Sequence, residues 1–281
     1  HLVSHGFAIA IPDHPGSDRQ RLREFYAGQH RENFEAREYI DRPQDITVLL
    51  NELERLNQTE LGQRLNLERV GMFGYSFGGS TALSLAGATL NPDFLKTDCQ
   101  TELGLVNISL LYQCRALELP AQTLDQSLKD DRIAAAFLFV PFGKSLFGPN
   151  LAQVTIPLLW QVTDLDILTP LVIEQLPAFA ALNPPASDSP DALAHPHPDH
   201  YLAITQGLPH ARVTYDALSR FTGSSTPWET LKQIAHDYQN ALSLAFFRVY
   251  ITQAEADRAY LTPAYAQAIT QPPYNLTLLS G

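Results

Sequence analysis

The chain has 281 residues, of which 45% are hydrophobic and 10% aromatic, and its formal net charge is −11. This length and apolar content are enough for one large core. The acidic balance and the lack of a basic run argue against nucleic acid and anionic membranes as partners. No apolar run reaches the roughly 18 residues that a membrane-spanning helix needs.

The chain is expected to begin within an element of structure. Residues 1–6 read as the end of a helix closed by a glycine. Residues 7–11, Phe-Ala-Ile-Ala-Ile, are apolar throughout and predict a parallel strand buried on both faces. We therefore expect an N-terminal part of the natural protein, with any export signal, to precede His1.

Two helices are predicted before the next strand. Residues 18–40 are charged and include a solvent-exposed helix. Residues 42–45, Arg-Pro-Gln-Asp, predict the start of a second helix, because proline is favoured at the first helical position and a carboxylate in the first turn. The apolar residues that follow at spacings of three and four are Ile46, Leu49, Leu50, Leu53 and Leu56. They indicate a helix with one face packed on a sheet.

A glycine-rich turn then joins a strand to a helix. Residues 70–73 form a short apolar run, residues 74–79 read Gly-Tyr-Ser-Phe-Gly-Gly, and residues 80–86 are small and helix-compatible. A G-x-S-x-G motif in this setting indicates a nucleophile elbow. It predicts a strained Ser76 and flanking glycines at which a side chain would collide with the neighbouring strand and helix. The backbone N–H of Phe77 is the expected oxyanion donor.

Residues 88–131 show no strand alternation and are longer than a typical connection, so they predict a mostly helical insertion, a cap over the sheet edge. Both cysteines of the chain, Cys99 and Cys114, lie in it. They either form a disulfide, which would favour a periplasmic or secreted protein, or are unpaired buried thiols.

Three further strands are predicted, at residues 133–140, 156–162 and 201–205, and a long helix opens with a capping box at residues 226–229 and runs to about residue 250. Strands alternating with helices predict a single α/β domain with a mostly parallel, doubly wound sheet. The loop at residues 141–148 carries Phe142 and Phe147. Together with Tyr75 they are candidate substrate-pocket residues, unless the two phenylalanines simply fill the core.

An acid and a histidine follow the elbow in chain order. Asp166 lies just after the strand at 156–162, and His210 just after the strand at 201–205. A serine hydroxyl needs a base to take its proton, an imidazole titrates in the right range, and a buried carboxylate holds that imidazole in one tautomer. Ser76, Asp166 and His210 are therefore a candidate catalytic triad. Asp164, two residues earlier, is the alternative acid.

Other polar clusters predict less chemistry. His195, His197, Asp199 and His200 are suitable metal ligands by type. However, alternating prolines leave them without a rigid scaffold, so we expect a solvated loop and no metal. Asp13 and His14 are expected to border the site and to make a structural hydrogen bond.

Six segments together resemble the predicted dienelactone hydrolase branch of the α/β-hydrolase family, which is related to platelet-activating-factor acetylhydrolases and cutinase-type polyester hydrolases. They are residues 5–7, 12–17, 42–45, 74–79, 166–170 and 207–210. The cysteine-bearing cap is similar to versions in cyanobacterial members. The resemblance covers most of residues 5–250.

The resemblance implies a carboxylic ester hydrolase that forms an acyl-enzyme, uses no cofactor and acts on a small-molecule ester. A thioesterase or acyltransferase would use the same triad, and a binding protein on a hydrolase scaffold is the non-enzymatic alternative. Dienelactone hydrolases themselves use cysteine where this chain has Ser76, so lactone activity is not implied. The family's second oxyanion donor lies before the position of His1, so we expect the N-terminal strands and half of the oxyanion hole to be missing.

Overall fold

A five-stranded sheet organises the chain in the computed structural model, which describes residues 1–184, 199–223 and 225–280. The strands are β1 (Val70–Tyr75), β2 (Ile133–Phe139), β3 (Leu158–Thr163), β4 (His200–Thr205) and β5 (Leu276–Ser280), and they lie side by side in that order. The first four are parallel and β5 is antiparallel to β4. The prediction of an α/β protein with a mostly parallel sheet is confirmed.

Alternate residues of the central strands enter two separate apolar cores. Ala136, Leu138 and Trp160 face one core, whereas Phe137 and Leu159 face the other. Because both faces are covered, these strands are apolar almost throughout, as buried parallel strands require. The carboxyl ends of β1, β3 and β4 meet at one edge of the sheet, and the three candidate triad residues follow those ends.

Helices cover both faces. The first core includes helical residues from 77–85, 176–182 and the 88–131 insertion, and the second includes helical residues from 228–250 and 263–269. The helices are α1 (Arg19–Tyr26), α2 (Glu38–Thr59), α3 (Phe77–Leu85), α4 (Pro92–Cys99), α5 (Ile108–Gln113), α6 (Ala121–Leu124), α7 (Lys144–Phe147), α8 (Leu176–Leu182), α9 (Arg212–Thr222), α10 (Trp228–Tyr250) and α11 (Pro263–Ile269). Short 3-10 helices lie at Leu2–His5, Glu102–Leu105, Cys114–Glu118, Gly148–Gln153 and Glu255–Tyr260, and a π-helical turn at Leu171–Gln175.

Of the two elements predicted at the N-terminus, the helix end is confirmed and the strand is not. Residues 2–5 form a helical turn closed by Gly6 at a φ of 90°, as expected. The predicted strand at residues 7–11 is wrong, because this segment is not in a strand, and Ile11 is 87% exposed. An apolar run becomes a buried strand only where a neighbour accepts its backbone hydrogen bonds. In the described chain, β1 pairs only with β2.

Two helix starts also differ from prediction. Helix α2 begins at Glu38 rather than at Arg42, so Pro43 lies inside it. Burial of Tyr39 and Ile40 extends the helix upstream, and tertiary packing therefore overrides the local proline signal. The capping box predicted at residues 226–229 is wrong, because Pro227 is the N-cap of α10 and no side chain caps that end. The terminal strand β5 has no counterpart among the predicted strands.

The 88–131 insertion is mostly helical, as predicted, and packs on one face of the sheet through Leu95, Ala116 and Leu124. A disulfide joins Cys99 at the end of α4 to Cys114, which follows α5, so the alternative of free thiols is wrong. Within the residues that the structure describes, no helix is both long enough and apolar enough to cross a membrane.

Asp130 and Arg132 tie the start of β2 to α2. The Asp130 carboxylate accepts hydrogen bonds from Nε of Arg132 at 2.8 Å and from Oγ1 of Thr47 at 3.1 Å. The side-chain hydrogen bonds from Arg132 hold the pKa of Asp130 below its usual range, although burial acts in the opposite direction. A carboxyl group with a lowered pKa stabilises the fold above its unfolded pKa, and this stabilisation is lost as the pH falls.

We therefore expect Asp130→Asn to lower the free energy of unfolding by about 2 kcal/mol at pH 7, because a charge-assisted acceptor is lost. The difference from wild type should begin to shrink as the pH falls below about 4, where the unfolded carboxyl takes up a proton, and should keep shrinking until the folded carboxyl is protonated as well. Urea unfolding at pH 7 and pH 3 measures both values. The neighbouring Asp131→Asn is the control, because Asp131 is 87% exposed and its pair with Lys129 is a surface one. Equal losses at both pH values would contradict this account.

Candidate active site

Ser76 lies at the turn between β1 and α3. Its φ of 51° and ψ of −114° are unusual for a residue with a side chain. Its N–H donates to the carbonyl oxygen of Phe139 at 2.9 Å, which fastens the turn to β2. The surrounding structure thus holds a backbone conformation that is otherwise unfavourable.

The glycines of the turn have different roles. A Cβ at Gly74 would lie 2.6 Å from the carbonyl carbon of Gly78, so the strand and the first turn of α3 are in backbone contact. A Cβ at Gly79 would lie 2.5 Å from the Cβ of Pro141. The expectation of a clash at Gly78 is wrong, because a Cβ there would meet nothing within 4 Å. Gly74 and Gly79 are the positions where only glycine fits.

Asp166 is a buried carboxylate with four donors. One oxygen accepts from the N–H groups of Leu168 at 2.8 Å and Thr169 at 2.9 Å. The other accepts from the Thr169 hydroxyl at 2.6 Å and lies 2.6 Å from Nδ1 of His210. Because a buried charge is costly unless it is hydrogen-bonded, these donors explain how the loop after β3 holds an ionised acid.

His210 connects the acid to the serine. Its Nδ1 faces Asp166, and its Nε2 lies 3.0 Å from the Ser76 hydroxyl oxygen. The imidazole side chain is 4% exposed. With the carboxylate fixing a proton on Nδ1, Nε2 is left as the acceptor that faces Ser76. The three residues selected from the sequence are therefore in direct contact.

Phe77 is the first residue of α3, so its N–H has no partner within the helix. This N–H lies next to Ser76 at the positive end of the helix dipole.

Arg42 packs on the Phe77 side chain, with its guanidinium carbon 4.5 Å from the centroid of the ring. Nε of Arg42 donates to Ser17 at 3.0 Å and to Glu38 at 3.3 Å, which joins the N-terminal loop to α2.

A cavity of about 440 Å³ opens beside Ser76. Its lining combines aromatic side chains with polar and charged ones. It is lined by Pro12, Asp13, His14, Ser17, Asp18, Arg19, Leu22, Asn33, Phe34, Arg42, Ser76, Phe77, Ser109, Tyr112, Phe142, Leu168 and Thr169. Such a mixture suits a small, partly apolar ligand.

The predicted pocket residues separate into two groups. Phe142 lines the cavity. Phe147 is fully buried in the first core, and neither it nor Tyr75 is among the lining residues. Tyr75 instead donates its hydroxyl to the carbonyl oxygen of His210 at 2.9 Å. Asp164, the alternative acid, accepts from the Gly207 N–H at 2.7 Å, whereas His210 pairs with Asp166.

Two buried polar residues that the sequence reading missed support the site. Glu174 accepts from the N–H groups of Gly143 at 2.8 Å and Lys144 at 2.9 Å, and also from the side chains of Asn107 and Gln113. Gln175 donates to the carbonyl oxygen of Pro141 at 2.7 Å and accepts from Trp160 at 2.6 Å. The signal in the sequence is a polar pair interrupting the apolar run of residues 171–176.

The remaining candidates are placed as follows. His14 bonds Asp45 through Nδ1 at 2.8 Å, and both His14 and Asp13 border the cavity, as expected. His195 and His197 lie outside the described residues, while His200 is buried in β4. Among residues 1–184, 199–223 and 225–280, no group of three His, Cys, Asp or Glu side chains could hold a metal ion.

Comparison with protein-family models and with curated proteins finds no match to this chain.

The turn geometry predicts a sharp contrast between neighbouring glycines. Gly74→Ala should lower the free energy of unfolding by about 2 kcal/mol or more, because its methyl group would overlap the backbone of Gly78. Gly78→Ala is the matched control and should be neutral or slightly stabilising, because alanine favours the helix and the space is open. Thermal and urea unfolding of both variants checks this. A Gly78→Ala variant as unstable as Gly74→Ala would rule out the contact as the cause.

Proposed function

We propose that the chain is a serine hydrolase of the α/β-hydrolase fold that cleaves a carboxylic ester. The observation that carries the proposal is the unbroken chain from the Ser76 hydroxyl through His210 to Asp166, with contacts of 3.0 and 2.6 Å. The strained serine turn and the order of the three residues at successive strand ends support the same class. The resemblance of the surrounding motifs to dienelactone hydrolase-like proteins points to esters rather than peptides.

In this proposal Ser76 attacks the ester carbonyl carbon while His210 Nε2 takes the hydroxyl proton. Asp166 keeps the other ring proton on Nδ1 and stabilises the imidazolium that forms. The tetrahedral intermediate collapses when His210 returns the proton to the leaving alkoxide, and the acyl group remains on Ser76. Water, activated by the same imidazole, then releases the carboxylic acid. Acyl transfer to water balances without an added cofactor.

In this proposal the Phe77 N–H donates to the oxyanion, which is supported by its place directly after the nucleophile, at the first position of α3. A buried donor aimed at developing charge is typically worth a few kcal/mol of barrier. The aromatic side chains of the adjoining cavity would accept the apolar part of the ester. Binding there would leave the carbonyl group close to Ser76.

A fluorophosphonate probe tests the proposal, because it labels a serine only when a neighbouring base activates the hydroxyl. We expect labelling of the full-length wild-type protein, none of its Ser76→Ala variant, and at least a hundredfold slower labelling of its His210→Ala variant. Hydrolysis of nitrophenyl acetate should decrease in parallel. Thermal unfolding of each variant controls for loss of fold.

A folded, full-length wild-type protein that does not label would refute the proposal and favour a binding function for the cavity. Labelling that survives Ser76→Ala would place the nucleophile elsewhere. If labelling depends on Ser76 as expected, kinetics with nitrophenyl esters of increasing acyl length would define the substrate range.

A further inference from the structure

Tyr75 and Asp164 anchor the loop that carries His210, and we propose that both are positioning residues for the base of the triad. The inference rests on the proposed function, since it assigns roles within the same site. Neither residue is a catalytic group in this account. Each instead ties the backbone of the histidine loop to a strand that carries another member of the triad.

The first anchor connects the base to the nucleophile. Tyr75 directly precedes Ser76, and its hydroxyl donates to the carbonyl oxygen of His210 at 2.9 Å. Its ring lies 5.4 Å from the imidazole ring and stacks on Phe139 at 5.6 Å, so the hydroxyl is presented from a packed aromatic pair. Tyr75 is 44% exposed as a whole, but desolvation of its hydroxyl raises the pKa of Tyr75 to about 12, and the Asp166 charge adds to the effect. The hydroxyl therefore keeps its proton and remains a donor at any ordinary pH.

The second anchor connects the base to the acid. Asp164 lies two residues before Asp166, and its carboxylate accepts from the Gly207 N–H at 2.7 Å. Gly207 has a φ of 77°, and a Cβ there would lie 2.8 Å from the Tyr274 ring. The turn that starts the histidine loop is thus fixed by a glycine-only conformation and by a carboxylate from the loop after β3.

These two hydrogen bonds determine the distance between Nε2 of His210 and the Ser76 hydroxyl, which the contacts within the triad do not determine. The contacts of the His210 ring fix its direction, but the gap between Nε2 and Ser76 depends on where the His210 backbone lies. Tyr75 fixes that backbone relative to β1, and Asp164 fixes the loop relative to β3. A misplacement of about 1 Å in a catalytic group can reduce the rate on the order of a hundredfold. Loss of one anchor should therefore slow proton transfer without removing any reacting group.

Tyr75→Phe deletes one oxygen and keeps the ring stack. We expect kcat on nitrophenyl acetate and the rate of fluorophosphonate labelling to decrease together, on the order of tenfold, with KM within about twofold of wild type. Tyr26→Phe is the matched control, because Tyr26 is 75% exposed and lies outside the site. A change in KM alone would overturn the positioning role and restore Tyr75 as a pocket residue.

Asp164 is tested with two substitutions. Asp164→Asn keeps an oxygen that can accept from Gly207, so activity should stay within about threefold of wild type, whereas Asp164→Ala should lose on the order of tenfold. Asp166→Asn should lose far more, on the order of ten-thousandfold, because it traps the wrong imidazole tautomer. If Asp164→Asn lost as much as Asp166→Asn, Asp164 would be an acid of the triad and the proposal would fail.

A measurement independent of activity separates this inference from the proposed function. Amide hydrogen exchange at Gly207 should accelerate in Asp164→Ala and not in Asp164→Asn. Unchanged exchange and unchanged labelling in both Tyr75→Phe and Asp164→Ala would overturn the inference while leaving the hydrolase proposal intact. Faster exchange in a protein that never labels would refute the hydrolase function, and with it the catalytic meaning of the two anchors.

Discussion

The close backbone contact between β1 and the first turn of α3 is the constraint on which the rest of the structure depends. Gly74 lies against the backbone of Gly78, so no side chain separates the strand from the helix, and Gly79 lets the helix pack directly on Pro141 of the loop after β2. The Ser80 hydroxyl then bonds the carbonyl oxygen of Phe142. Ser76 and one wall of the cavity are consequently placed by the same packing.

Around this junction, polar groups are buried only where donors and acceptors match. Asp166 and Glu174 each have several partners, contributed by both backbone and side chains. Desolvation would otherwise make an ionised carboxylate at these positions prohibitively unfavourable. These hydrogen bonds therefore stabilise the fold. They also orient the loops after β2 and β3, which carry residues of the candidate site.

A structural feature of this protein can be predicted from the sequence when its signal lies in a short stretch of neighbouring residues. The serine turn, the central strands and the helical insertion are dense local patterns, and they appear where expected. The strand predicted at residues 7–11 does not form, because a strand also needs a neighbouring strand, which the pattern of apolar residues does not reveal. Their aromatic character predicts Tyr75 and Phe147 as pocket residues, yet the position of an aromatic side chain depends on tertiary packing. The pairing of His210 with Asp166 rather than Asp164 likewise follows from the shape of one loop.

Glu174 also bears on how such a chain can change over generations. Its carboxylate is shared between α7 and two amides, Asn107 and Gln113, from the helical insertion. An insertion exchanged for an unrelated one would leave a buried anion with half of its partners. Descendants should therefore keep these three residues together or lose them together, so the insertion is inherited as part of the core rather than as a removable module.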